Sequence, residues 1–200
     1  FRIPCVKLVD RGEVREDVLE MILTASRLPD ALGLDIRAFI ATINVARSRF
    51  AELVKRYGAE VVTAVMHRMI ESTEAKMRAR LRELPDGEFH AADFLEHDGH
   101  NNVLYKVDCK LTKRGEKLIF DYSGSSKQAP GFINCTRAGL RGGVAGGILP
   151  ILGFDMQWNQ GCLNVAEIVA PDGLICTAQF PAPVGAATVE CIWVVANAAT

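Results

Sequence analysis

Asp121, Tyr122, Ser123, Gly124, Ser125 and Ser126 follow directly on the apolar run 118–120. An acid, hydroxyls and a glycine at the point where a strand leaves a core bring carboxylate, O–H and backbone N–H groups together. Such groups can hold an anion or orient a water. Pro130 and Gly131 force a second turn before Asn134, and Asn159-Gln160-Gly161-Cys162 makes a third. A plain turn between strands is the competing reading of each. The first segment is not a GxSxG nucleophile elbow, because Tyr122 stands where its first glycine should be. No histidine lies beyond His100, so a Ser-His-Asp triad would have to reach back to the upstream histidines. A polar loop that binds substrate, or caps a neighbouring helix, fits these residues better than a nucleophilic serine. Cys162 has no cationic neighbour in sequence to lower its pKa, which favours a structural thiol. Glu190, beside Cys191 in an apolar stretch, needs either solvent or a polar partner.

A second concentration lies between residues 89 and 100: His90, Asp93, Glu96, His97, Asp98 and His100. Imidazole and carboxylate can bind a divalent metal. The spacing matches no standard ligand pattern, and Asp98-Gly99 reads as a mobile turn. No metal site is expected there.

The elements around these residues follow from periodicity. Residues 1–9 read as an extended segment turned by Asp10 and Gly12, and 13–26 as an amphipathic helix ended by Pro29. From 34 to 57, Ile36, Phe39, Ile40, Ile43, Ala46, Phe50, Leu53, Val54 and Tyr57 recur every three or four positions. That predicts a long helix with one buried stripe, stopped by Gly58. A third helix covers 59–84, and one glycine between two long helices predicts an antiparallel hairpin. After Pro85-Asp86-Gly87 the period falls to two: strands are expected over 88–95, 103–111, 117–122, 163–170 and 174–180. Residues 136–152 carry Gly139, Gly142, Gly143, Gly146 and Gly147 and suit a helix packed hard on another backbone. A last helix is expected over 186–199. The fold class is therefore α+β: a helical part, 1–85, then a mixed sheet with a packed glycine-rich helix, 86–200.

The 200 residues hold 23 basic and 24 acidic side chains, which gives no electrostatic case for nucleic acid or an anionic membrane. No apolar run is long enough to span a bilayer. The six cysteines form no CxxC pair, and scattered thiols point to a reducing cytoplasm. The opening FRIPCVKLV and the closing VVANAAT read as elements already under way, so a piece of a longer protein is expected.

Several phrases occur in a telling order: Phe1-Arg2-Ile3-Pro4-Cys5, Asp35-Ile36-Arg37-Ala38, LVKRYG at 53–58, DYSGSS at 121–126, PGFIN at 130–134, NQGC at 159–162, IVAPDG at 168–173 and PVGAATVE at 183–190. Together, through nearly the whole chain, they resemble the hydantoinase B / 5-oxoprolinase family. The resemblance implies a B-type subunit working with a hydantoinase A-like partner. That partner uses ATP to phosphorylate a lactam, cyclic imide or ketone, and the B part completes hydrolysis or carboxylation. Phosphorylating the carbonyl oxygen removes amide resonance and creates a leaving group. The second site must then hold the anionic intermediate and aim a water or carboxylating species. On this resemblance Asp121, Ser123, Ser125, Asn134 and Asn159 are the substrate-binding candidates, with no catalytic role assigned to any one. The family's divalent-metal segment is expected upstream of Phe1. A ketone-carboxylase subunit, or a non-catalytic scaffold and subunit contact, are the alternatives.

Overall fold

A computed structural model describes residues 3–200. The chain forms two compact units, divided between Ala64 and Val65. Phe1 and Arg2, the start of the expected extended segment, lie outside the described residues.

In the first unit β1 (Val9–Asp10) pairs antiparallel with β2 (Glu13–Val14) around Arg11 and Gly12. Helix α1 (Glu16–Thr24) buries Val18 and Leu19. Helix α2 (Pro29–Tyr57) starts on proline, whose missing N–H costs nothing at a first helical position. It packs on α1, with Gly33 against Leu23. Gly58, at φ 82°, separates α2 from α3 (Ala59–Glu83).

The apolar stripe of α2 is present but not buried. Ile36 is covered, whereas Phe39 and Ile43 are 66% and 65% exposed, and Phe50, Leu53 and Tyr57 are also open. Periodicity reports that a face favours cover. It does not say that the same 200 residues supply it.

In the second unit the remainder of α3 buries Met77 and Leu81. Four strands follow: β3 (Gly87–Leu95), β4 (Tyr105–Arg114), β5 (Lys117–Asp121) and β6 (Ala166–Val169), in that spatial order. The first three are antiparallel and β6 runs parallel to β5, so the sheet is mixed. Alternation sends Val107, Cys109, Leu118 and Phe120 to a buried face. Helix α6 (Cys191–Ala198) covers β3 and β4, and α4 (Arg137–Leu152) packs on α6.

Gly143 and Gly147 of α4 do what dense packing requires. A Cβ on Gly143 would sit 2.6 Å from Val195 Cγ1, and one on Gly147 2.7 Å from the Ala196 carbonyl oxygen. Thr136 caps the helix by accepting from the Gly139 N–H.

Three expected elements differ. Residues 160–163 form a short helix, α5 (Gln160–Leu163), and only 166–169 join the sheet. The last helix begins at Cys191. Residues 174–180 make a single bridge, Leu174 with Lys127, rather than a strand. Their backbone groups are used by a neighbouring loop: Ile175 N–H donates to Ser126, Cys135 N–H to Ile175, and Ala178 N–H to Cys135.

Candidate site at the strand exits and open sheet face

The sheet register unites the two chemical clusters of the sequence. His90 lies opposite Lys110, Lys110 opposite Asp121, and Asp121 opposite Val169. This row crosses all four strands on the face away from α6. Asp108 shares that face. Its Oδ1 is 2.8 Å from His90 Nε2 and 3.3 Å from Lys106 Nζ. Lys110 Nζ pairs with Glu88 at 2.9 Å. The result is a balanced polar band, not a basic or acidic patch.

The β5 exit is tied to this band. Asp121 Oδ1 accepts the Ser123 N–H at 2.8 Å, which fixes the turn and leaves Ser123 exposed. Gly124 lies against the Asp108 carboxylate, where a side chain would not fit. Ser125 is buried; its hydroxyl accepts from Asp108 N–H at 3.0 Å and lies 3.3 Å from Asp108 O. Ser126 Oγ accepts from Lys106 N–H at 2.9 Å. These two hydroxyls extend the pairing along β4 after the backbone has left the strand. Tyr122 is fully buried, donates to the Val195 carbonyl at 3.2 Å, and is pushed well above the usual phenol range by burial.

Asn134 is the hub of a second layer. Its Oδ1 accepts from Ala129 N–H, and its Nδ2 donates to the carbonyls of Ala129, Gly131 and Pro183, all within 2.9 Å. The amide is fully buried and every polar atom is engaged. Gly131 in turn abuts the backbone carbonyl of Asp98, which a Cβ would overlap. Asp98 is 1% exposed, so Asp98-Gly99 is a docked turn and not the mobile one expected. Its carboxylate accepts from His100 N–H and Asn101 N–H at 2.7 Å and from the Tyr105 hydroxyl at 3.0 Å. The two backbone donors, Asn101 first, hold it below the ordinary carboxylate range. The Phe132 ring lies over Gly99, and Phe132 O accepts from Ala186 N–H. Three loops, 98–101, 129–134 and 183–186, are thereby fastened together.

Asp121, Ser123 and Ser125 thus stand together, with Asn134 in the adjoining loops. Asn159 shares no partner with these four among the described residues. It caps α5 through Gly161 N–H at 2.8 Å and donates to Thr73 of α3 at 2.9 Å. Sequence reasoning missed Asp108 and Lys110. Both sit in an alternating strand where charge looks like a solvated face, and only the register brings them to the loop.

In the glycine-rich stretch Gly139, Gly143 and Gly147 are taken up by close packing. Among the described residues, no three His, Cys, Asp or Glu side chains converge as metal ligands. Asp98 faces backbone donors, and His97 and His100 point out as exposed side chains. No helix among the described residues is long and apolar enough to cross a membrane.

A model of the hydantoinase B/oxoprolinase family matches residues 1–200. The chain is 31% identical over 184 residues to the caprolactamase β subunit of Pseudomonas jessenii, covering 92% of this chain and 32% of that protein. It is 28% identical over 200 residues to the B-type subunit of a putative D-/L-hydantoinase from Pseudomonas sp. (strain NS671), covering 92% and 33%. The crystal structure of the ATP-dependent caprolactamase from Pseudomonas jessenii superposes with a TM-score of 0.83 at 29% identity, covering all of this chain and 34% of that one. The chain spans about a third of the length of these relatives. It belongs to the hydantoinase B/oxoprolinase family.

Proposed function

We propose that the chain is part of the B-type subunit of an ATP-dependent complex that opens a lactam or cyclic imide by hydrolysis. An A-type partner uses the ATP, in a cytoplasmic hetero-oligomer, and the divalent metal implied by the family lies upstream of Phe1. The observation that carries this reading is the family match over the whole chain, with caprolactamase and hydantoinase subunits among the relatives.

Within this chain, Asp121 fixes the turn that presents Ser123. Ser123 is the one candidate whose hydroxyl is exposed, and it is assigned to substrate. Ser125, Asn134 and Asn159 act by holding loops, since their polar atoms already bond to protein. Preorganised N–H and O–H groups at a strand exit suit the task of holding an anionic intermediate.

The scaffold reading is favoured by one observation, the long exposed stripe of α2, which suits a subunit contact. Alanine at Ser123 and at Phe39, each in the full-length protein with its A-type partner, separates the two. Loss of lactam or hydantoin turnover with intact assembly in Ser123→Ala supports a site in this chain. Unchanged turnover there, with assembly lost in Phe39→Ala, supports the scaffold. A bicarbonate-dependent ketone activity with no cyclic-amide hydrolysis would turn the assignment to a carboxylase.

A further inference from the structure

Helix α4, the end of α5 and strand β6 enclose a cavity of ≈ 230 Å³. Val144 lies buried in it, and Leu163, Ala166 and Ile168 are its half-buried walls. Register sets Ala166 and Ile168 beside Leu118 and Phe120, on the sheet face away from the polar band. The guanidiniums of Arg137 and Arg141 complete the lining, with no carboxylate among the described residues that form it.

The two arginines are unequally occupied. Arg137 Nη2 donates to Ala170 O at 2.8 Å and to Asp172 Oδ1 at 2.7 Å, which anchors this side chain and answers its charge. Its Nε–H and Nη1 hydrogens, and every N–H of the Arg141 guanidinium, have no acceptor among the described residues. Both side chains are open to water, so the free donors alone demand nothing. Their placement narrows what suits them. The two stand one helical turn apart on one face of α4, where like charges repel. With Asp172 engaged by Arg137, the cavity keeps one net positive charge beside apolar walls. A cation is repelled there. A neutral molecule gains the walls but no charged partner. Inorganic phosphate has no body and leaves the walls wet. A monoanion with an apolar body matches both halves, and a carboxylate meets a guanidinium fork with two parallel hydrogen bonds. Size agrees: an apolar cavity of about 150 Å³ admits benzene, so a body of roughly six carbons fits beside the carboxylate.

We propose that this cavity binds a small monocarboxylate whose hydrocarbon body lies on Val144, Leu163 and Ile168 and whose carboxylate accepts from Arg141, with Arg137 beside it. A ring-opened lactam is a different kind of ligand: its amino end is charged and would be left against those apolar side chains. The site therefore does not depend on the hydrolase assignment, and binding without turnover tests it.

The test is a methyl-detected NMR titration of the full-length protein that carries this chain, at constant ionic strength. Benzoate and isocaproate are the ligands. Benzamide, ε-aminocaproate and inorganic phosphate are the neutral, zwitterionic and bodiless controls. Saturable shifts of the Val144, Leu163 and Ile168 methyls are expected for both carboxylates, with Kd on the order of 1 mM for so few atoms. Benzamide and ε-aminocaproate should bind at least about tenfold more weakly, and phosphate should leave these methyls unmoved. Arg141→Gln should weaken benzoate about tenfold with an unchanged thermal midpoint, since Arg141 has no partner to lose among the described residues. No saturable shift up to about 50 mM would overturn the proposal, including the case in which another part of the full-length protein fills the cavity. Equal affinity for benzamide would leave only apolar contact, and equal affinity for ε-aminocaproate would assign the cavity to the ring-opened product; either result overturns it. So would phosphate shifting the same methyls as strongly as benzoate, or unchanged benzoate affinity in Arg141→Gln.

Discussion

The side-chain amide of Asn134 donates to the Pro183 carbonyl across 49 residues of chain, at 2.9 Å. The same amide closes the 129–134 loop on itself through Ala129 and Gly131. One buried side chain therefore fastens two loops. Asn134→Ala leaves one N–H and three carbonyls without this partner inside the protein. A loss of about 2–4 kcal/mol is expected. Asn134→Asp keeps an acceptor for Ala129 N–H but points a carboxylate at three carbonyls, so it should be no better. Urea unfolding of the three proteins measures both. A change under about 0.5 kcal/mol in either variant would contradict the hub.

The glycines of α4 give a paired prediction. A Cβ at Gly143 meets Val195 Cγ1 at 2.6 Å and the Ile192 carbonyl at 2.9 Å, so Gly143→Ala must push α6 away. That overpacking should cost about 1–3 kcal/mol. Nothing lies within 4 Å of a Cβ at Gly142, one residue earlier. Gly142→Ala should stabilise by about 0.5–1 kcal/mol, because alanine loses less backbone entropy in a helix. Thermal unfolding should move the two midpoints in opposite directions. Equal shifts would mean that α4 and α6 are not in close contact.

This helix was legible in the sequence because five glycines in a helical stretch have few uses besides close approach. The strand exit at Asp121 was legible too, since a sharp change from apolar to Ser and Gly marks where a strand ends. The row His90–Lys110–Asp121 was not, because it depends on a register between strands that no local pattern states. The hydrogen-bond partners of Ser125 and Asn134 were also hidden. Serine and asparagine look the same in sequence whether their polar atoms face a ligand or close a loop. Residues 174–180 look like a strand because they are apolar, yet their backbone partners lie in an irregular loop. The α2 stripe shows the converse: the helix was predicted and formed, but Phe39 and Ile43 of its stripe stay exposed.

The cysteines should divide sharply by reactivity. Cys5 is exposed, while Cys109, Cys135, Cys162, Cys176 and Cys191 are buried and free. Burial pushes the Cys109 thiol up to about 11 and the Cys176 thiol up to about 12. The hydrogen bond with Cys135, together with burial, raises Cys191 as well. Thiolate is the reactive form, so these groups are both inaccessible and protonated at pH 8. Iodoacetamide should label the native chain once, at Cys5, and the denatured chain at all six positions. Fast labelling of Cys109 or Cys176 in the native chain would show that the core between sheet and α6 opens readily.

Asp98 links fold stability to pH with a definite sign. Backbone N–H groups of Asn101 and His100 favour its ionised form, so its folded pKa lies below its unfolded one. Such a group contributes stability that is fully present above its unfolded value, about 4. The contribution is lost as pH falls through the lower folded value. Stability between pH 5 and 8 should therefore be flat with respect to this residue and decline in the acid range below pH 4. Asp98→Asn is the discriminating variant. It retains an oxygen for the two N–H donors and cannot titrate, so its stability should fall less steeply than wild type between pH 4 and 2.5. Asp98→Ala, which removes the oxygens, should instead lower the unfolding midpoint at every pH and free the 98–101 loop from Gly131. Denaturant unfolding of all three proteins across this range provides the measurement. Parallel acid slopes for wild type and Asp98→Asn would show that other carboxylates, such as the similarly depressed Asp86 beside Lys113, govern the acid response.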